Sequence, residues 1–383
     1  FEDSAVPPER LGAYLAELRA LLSEHQMQAI SYGHYGEGCI HLRVGFGLDG
    51  PDGPQRYERF TSDAADLVVR HGGSLSGEHG DGRSRGPLLA RQFSPQLIKA
   101  FATFRRTWDP TGRLNPRIIV DPPPITADLR ATAPTRLPTV TLQAFSEDGG
   151  DFRSAVERCI GVGRCVSTQG AAQMCPSYRA TRDEQHSTRG RARLLQEMMV
   201  GELAEDGWRS TEVRDALDLC LSCRGCVNEC PTGVDMASYK AEFLDHHYRR
   251  RLRPMSHYSL GWLPVWLKLT ARVPRLVNAI TQPRLTRRLF SKLAGIAPSR
   301  GIPRIARRTF TRDWQPRPRP DAPNGRVVLW PDTYNDHLTP EVSHAAVRVL
   351  EDAGFEVAAP SRWVCDGLTW HSTGPLGTAR RML

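Results

Sequence analysis

No stretch of the 383 residues approaches 18 uninterrupted apolar positions, so no transmembrane helix is expected. No basic segment followed by an apolar core opens the chain, which argues against a secretory signal and for a cytoplasmic protein. Lysine is scarce, supplying only four of the 51 basic residues. Acidic residues are missing altogether from Arg249 to Arg312, a stretch holding sixteen lysines and arginines. Because the whole chain is +9, everything outside that stretch sums to −7. A block of one sign suits an anionic membrane surface, an acidic partner or nucleic acid. With 40% hydrophobic and 24% charged residues, disorder, a coiled coil and collagen are excluded, and the length suffices for two or three domains. The chain opens at Phe1 and stops just after Arg380-Arg381, within what reads as a domain, so we expect a piece of a longer polypeptide.

The first 121 residues mix helical and extended patterns. Leu11, Leu15, Leu18 and Leu22 recur at helical spacing and predict a helix over 9–25. Extended segments are expected at 28–34 and 40–48, with further helices over 57–71 and 95–107, an α+β pattern. Residues 122–149 are proline-rich at their start and read as a linker; the proline-rich part, 121–138, holds five prolines. A cysteine-rich module follows over 150–247, then a basic helical region over 248–324 with a second proline-rich linker at 316–323. From 325 to 383 a strand near 326–330, a helix over 340–353 and a strand at 356–359 predict the start of a parallel α/β domain.

Seven of nine cysteines lie between Cys159 and Cys230, and in a chain with no secretion signal such a cluster reads as metal or redox ligation. Cys220, Cys223, Cys226 and Cys230, the last followed by Pro231, have the spacing of a bacterial ferredoxin run, in which three thiolates share one cluster and the fourth serves another. The partner run is Cys159, Cys165 and Cys175, again followed by proline. Exchanging the last members gives a first cluster on Cys175, Cys220, Cys223 and Cys226, and a second on Cys159, Cys165 and Cys230. Val162 stands where a ferredoxin would place the missing cysteine. The second cluster is therefore either 3Fe-4S, or 4Fe-4S with a non-cysteine ligand or an open iron. Structural zinc is the competing reading, although a third cysteine three residues on is unusual for it.

His34 and His41 flank a glycine-rich segment, and in an unbroken strand they would face opposite sides. Gly33, Gly36 and Gly38 permit a turn that brings the two rings together. The loop Ser76–Gly82 adds Glu78 and His79. Two imidazoles and a carboxylate suit a divalent metal with an open position, most simply Zn2+, and leave one histidine as a general base. On spacing alone, histidines beside glycines are also ordinary turn residues.

These residues carry a resemblance. The run His34–His41, the loop Ser76–Gly80 and the segment Asp109–Pro116 together resemble the C-terminal cap domain of FAD-linked oxidases of the vanillyl-alcohol-oxidase type, in the branch of the D-lactate and D-2-hydroxyglutarate dehydrogenases. The segment Cys159–Cys230, with Met174–Tyr178 and His186–Arg191, is similar to the ferredoxin part fused behind that domain, and the C-terminal piece resembles the start of a heterodisulfide-reductase-type Cys-Cys-Gly domain. The resemblance implies a ferredoxin-like α+β cap domain, an α-helical two-cluster ferredoxin module and a truncated α/β domain. It matches His34, His41 and Glu78 to metal ligands, His79 to the general base and Asn115 to a segment approaching the flavin.

The implied activity is oxidation of a D-2-hydroxy acid to the 2-oxo acid. Electrons would pass from FAD through two iron–sulfur clusters to a quinone or a redox protein. The resemblance places most of the FAD site ahead of Phe1, so this chain by itself is expected to bind FAD poorly and to be inactive. The alternative is a non-catalytic electron-transfer subunit docking on a separate flavoprotein; a zinc-stabilised interaction module is the third reading. Glu37 and Cys39 depart from the family's Asp and Asn, and Arg43 replaces a smaller polar residue, which suits a longer or more anionic substrate. Cys365-Asp366-Gly367 lacks one cysteine of its signature and is assigned no cluster. Trp262 and Trp266 in the basic block offer a peripheral contact to the inner face of a membrane, against the plainer reading of a packed helical linker. No nucleic-acid recognition motif accompanies the charge.

Overall fold

The computed structural model describes residues 3–48, 50, 52–129, 137, 140–168, 174–201, 206–297, 299–318, 322–360 and 363–383. The proline-rich linker expected at 121–138 lies outside the described residues at 130–136 and 138, and that at 316–323 does so at 319–321. The chain divides into two compact units, Phe1–Pro134 and Thr135–Leu383.

The first unit is built on three antiparallel strands, β1 (Asp3–Ala5), β2 (Ala29–His34) and β3 (Cys39–Val44), in the order β1-β3-β2. Helices α1 (Leu11–Glu24) and α2 (Gly53–Arg70) pack their apolar faces on the sheet through Tyr14, Leu18, Ile40, Leu42, Phe60 and Leu67. Helix α2 begins four residues earlier than its apolar periodicity suggests, because a proline stands in its first turn. Strand β3 stops four residues short of the expected Leu48, where Gly45 begins the exit loop. The fourth strand of a ferredoxin-like sheet is reduced to a single bridge between Ser74 and Ala5. Beyond it the chain turns aside as Ser76, Glu78 and His79 bond to Asp3. Helix α3 (Pro95–Trp108) follows, capped by the Ser94 hydroxyl.

In the second unit the cysteine-rich module is helical. Helix α4 (Thr188–Val200), capped by Ser187, and helix α5 (Met236–His247), capped by Asp235, pack through Leu195, Met198, Tyr239 and Phe243 around Phe152. Residues 140–149, expected as linker, belong to this module. The backbone N–H groups of Leu142 and Gln143 donate to the fully buried Glu242 carboxylate, and Phe145 stacks among Phe152 and Tyr239. The C-terminal segment contains parallel strands β4 (Arg326–Val328) and β5 (Glu356–Ala358) joined through helix α6 (Pro340–Asp352). It belongs to the same unit: the Leu376 N–H bonds to Asp245 and the Arg253 guanidinium to the Thr373 carbonyl. Among the described residues no helix is long and apolar enough to cross a membrane.

Candidate functional site

The β2–β3 hairpin settles the parity of the two histidines. His34 pairs with Cys39, and Tyr32 with His41. Paired residues share a face and alternate along each strand, so His34 and His41 lie diagonally on one face despite their odd spacing. The hairpin turn ends at Gly38, with φ +75°, where a Cβ would overlap the Val6 carbonyl. Gly77 allows the Ser76–Gly82 loop to cross that face, since a Cβ there would sit 2.7 Å from the Cys39 sulfur.

The loop delivers Glu78 and His79. Glu78 Oε1 lies 3.0 Å from His41 Nε2, 3.7 Å from His34 Nε2 and 3.6 Å from His79 Nε2. The ligand atoms of His34, His41 and Glu78 are all within 4.8 Å of one another, and the His79 ring stacks on His41 at 4.8 Å. A tetrahedral Zn2+ with ligands at 2.0–2.1 Å places them about 3.3 Å apart, so the three donors fit such an ion with small adjustment. His41 Nδ1 is buried and has no hydrogen-bond partner among the described residues.

Asp3, which sequence reasoning passed over, anchors the loop. It is 0% exposed, and its Oδ2 accepts from Ser76 Oγ, the Glu78 N–H and the His79 N–H at 2.9, 2.9 and 2.7 Å. Its Oδ1 pairs with buried Arg85 at 2.9 Å, and Arg85 also donates to the Gly80 carbonyl. Burial works to raise the Asp3 pKa, but the two backbone N–H groups, the Ser76 hydroxyl and the Arg85 charge together hold it below the usual carboxylate value. Arg85 is thus part of the scaffold, and Arg83 pairs with Asp128 at the surface. The Cys39 thiol is pushed up by burial first and by the nearby Glu78, Asp3 and Glu37 charges second, which favours the neutral thiol. Asn115 stands elsewhere in the unit, exposed and with φ +48°, just beyond a turn closed by Asp109 accepting from the Arg113 and Leu114 N–H groups.

In the second unit seven free cysteines divide between two cavities. Cys175, Cys220, Cys223 and Cys226 line one, with Arg191, Met174 and Met236. Cys159, Cys165 and Cys230 line the other, with Val162 and no fourth thiol among the described residues. Val162 is 58% exposed between Gly161 and Gly163, both at positive φ. The sulfur-lined shape and the thiolate-forming donor set fit iron–sulfur clusters. Burial pushes the Cys226 thiol up to about 12. At Cys175 burial acts in the same direction but is outweighed by the Ser177 hydroxyl and the Arg191 charge, so its pKa is lowered.

Residues 1–119 match the family described as FAD linked oxidases, C-terminal domain, and residues 155–234 match the 4Fe-4S dicluster domain. Residues 1–119 are thus similar to FAD-linked oxidase C-terminal domains, and the cysteine-rich module to 4Fe-4S dicluster domains. It is 27% identical to the D-2-hydroxyglutarate dehydrogenase of Escherichia coli over 93% of its own length and 39% of that protein's. It is 31% identical to the Pseudomonas putida D-2-hydroxyglutarate dehydrogenase over 81% of its length and 33% of the relative's. Similarity to the E. coli glycolate oxidase subunit GlcD, 31%, covers 30% of the chain and 23% of that subunit. The chain thus spans about two fifths or less of these relatives.

Outside both sites, Cys365 is buried, and its sulfur accepts from the Gly367 N–H at 3.4 Å. In the basic segment Trp262 packs edge-on against fully buried Trp370, and Trp266 donates to the Tyr258 carbonyl. The more open apolar stripe is Leu285, Leu289 and Leu293, on the helix Arg284–Leu293, with Leu285 83% exposed.

Proposed function

We propose that this chain is part of a flavin- and iron–sulfur-dependent dehydrogenase that oxidises a D-2-hydroxy acid of the D-lactate or D-2-hydroxyglutarate type to the 2-oxo acid. The observation that carries the reading is the convergence of His34, His41, Glu78 and His79 on one face of the β2–β3 hairpin. The names of the E. coli and P. putida relatives support the substrate class. When bound, a divalent metal such as Zn2+ supplies Lewis acidity toward an α-hydroxy carboxylate, FAD accepts hydride, and the clusters carry single electrons.

His34, His41 and Glu78 would hold the metal. His79 is the group assigned to take the substrate hydroxyl proton, and Asp3 fixes its backbone. Arg43 lies two residues beyond His41 and so on the same face of β3, where its charge suits a second carboxylate at the far end of the substrate. Cys175, Cys220, Cys223 and Cys226 would hold a 4Fe-4S cluster. Cys159, Cys165 and Cys230 would hold the second, as 3Fe-4S or as a four-iron cluster with a non-cysteine position. The acceptor is a quinone or a redox protein, with the Leu285–Leu293 stripe and its arginines as a peripheral lipid contact.

The test is a panel of D- and L-2-hydroxy acids given to the intact polypeptide with an artificial electron acceptor. Oxidation of D-2-hydroxyglutarate or D-lactate is expected, and His79→Ala should lower kcat about 10²–10⁴-fold with metal content unchanged. Undiminished turnover by His79→Ala would remove the catalytic assignment and favour an electron-transfer subunit.

A further inference from the structure

Arg191 is 1% exposed, at the heart of the cysteine-rich module on helix α4. A buried guanidinium cannot lose its proton and must spend its donors on protein acceptors. Here Nε donates to the Ala216 carbonyl at 2.6 Å and Nη2 to Ser177 Oγ at 2.9 Å. The remaining nitrogen, Nη1, points at the Cys175 sulfur, 3.5 Å away. No carboxylate among the described residues pairs with it, so its charge is compensated only by dipoles and by the thiol-lined cavity.

Three other cations near the cavities are placed differently. Lys240 spends its ammonium on the Cys220 and Asp218 carbonyls. Arg224, at the rim of the same cavity, is largely exposed and shares Asp235 at 3.4 Å. Beside the second cavity, Arg189 gives its backbone N–H to the Cys165 sulfur, but its guanidinium is bound to Glu184 at 2.5 Å. Arg191 is therefore the one of these four guanidinium and ammonium groups that meets a cysteine sulfur directly.

We propose that Arg191 sets the reduction potential of the cluster held by Cys175, Cys220, Cys223 and Cys226. The inference rests on the iron–sulfur reading above. Adding one electron to the cluster adds one negative charge, and a fixed positive charge in a dry environment beside a ligating sulfur stabilises that reduced form. Hydrogen bonds to cluster sulfurs and local net charge are established determinants of such potentials. Arg191 thereby makes the four-thiolate cluster an easier electron acceptor than its ligands alone would.

The experiment is an EPR-monitored redox titration of the intact polypeptide, wild type and Arg191→Gln, with iron and acid-labile sulfide measured on both. The glutamine amide nitrogen lies at the level of Nε, so it keeps a donor for the Ala216 carbonyl and removes the charge. The expected result is an approximately tenfold or greater fall in the equilibrium constant for reducing the four-thiolate cluster, about 59 mV for a one-electron couple, with the other cluster unmoved. An unchanged midpoint in a fully loaded Arg191→Gln protein would overturn the proposal, as would an equal shift in both clusters. If the glutamine variant does not load, wild-type protein labelled with 15N-arginine is decisive. A nitrogen hyperfine coupling on the reduced four-thiolate cluster is expected, and its absence overturns the contact. Wild-type protein without iron and sulfide would instead defeat the iron–sulfur reading itself.

Discussion

Replacing Asp3 by asparagine isolates the ion pair that underlies the loop carrying Glu78 and His79. An asparagine can keep its carbonyl oxygen toward Ser76 and the two backbone N–H groups, while its amide nitrogen is turned toward Arg85. The buried guanidinium then loses its only carboxylate among the described residues and meets a second donor. Breaking a buried pair by removing one partner costs about 3–5 kcal/mol. Because Arg85 retains the Gly80 carbonyl, the lower end, about 3 kcal/mol, is expected. Urea unfolding at neutral pH measures it, with Arg85→Met and the double variant closing a cycle. The Asp3 pKa lies below its ordinary value of 3.8, so its stabilisation is complete above that value and is lost as the pH falls through the lower folded pKa. Asp3→Asn should therefore flatten the acid limb of the stability profile as well as lower the plateau. Metal affinity should fall about 10–100-fold, since outer partners orient the ligands. A loss below about 0.5 kcal/mol, or a coupling energy near zero, would refute the claim that this carboxylate anchors the loop.

Two further outcomes test separate parts of the molecule. Val162→Cys places a fourth thiol at the mouth of the cavity lined by Cys159, Cys165 and Cys230, and iron analysis with EPR of oxidised protein should show conversion of any three-iron signal to an EPR-silent four-iron form; persistence of that signal would show that position 162 does not reach the cluster. The helix Arg284–Leu293 presents Leu285, Leu289 and Leu293 beside Arg284, Arg288 and Lys292 with no acidic neighbour in the segment, so the protein should sediment with vesicles containing anionic lipid, release in high salt and lose binding when the three leucines become glutamine. Equal retention by neutral vesicles, or none by anionic ones, would exclude the lipid contact.

What could be read from the sequence followed the range of each interaction. The cysteine pairing was an expectation from ferredoxin spacing, and Cys175, Cys220, Cys223 and Cys226 line one cavity. The histidine pair was legible as a turn, although only the register, His34 opposite Cys39, shows why an odd spacing ends on one face. Asp3 was not legible, because its partners lie more than seventy residues away and nothing in a three-residue strand marks one acid as the hub of a distant loop. Arg85 is hidden for the same reason: nothing in its neighbours Gly80, Gly82 and Arg83 marks it as buried, yet its carboxylate partner fixes it inside. Residues 140–149 looked like linker because only a helix a hundred positions later supplies Glu242 to accept their N–H groups. The two acids that organise this chain, Asp3 and Glu242, are both fully buried and both satisfied chiefly by backbone N–H groups of remote segments. A buried carboxylate is costly unless such donors converge on it, so each fixes a loop that hydrophobic periodicity leaves unassigned.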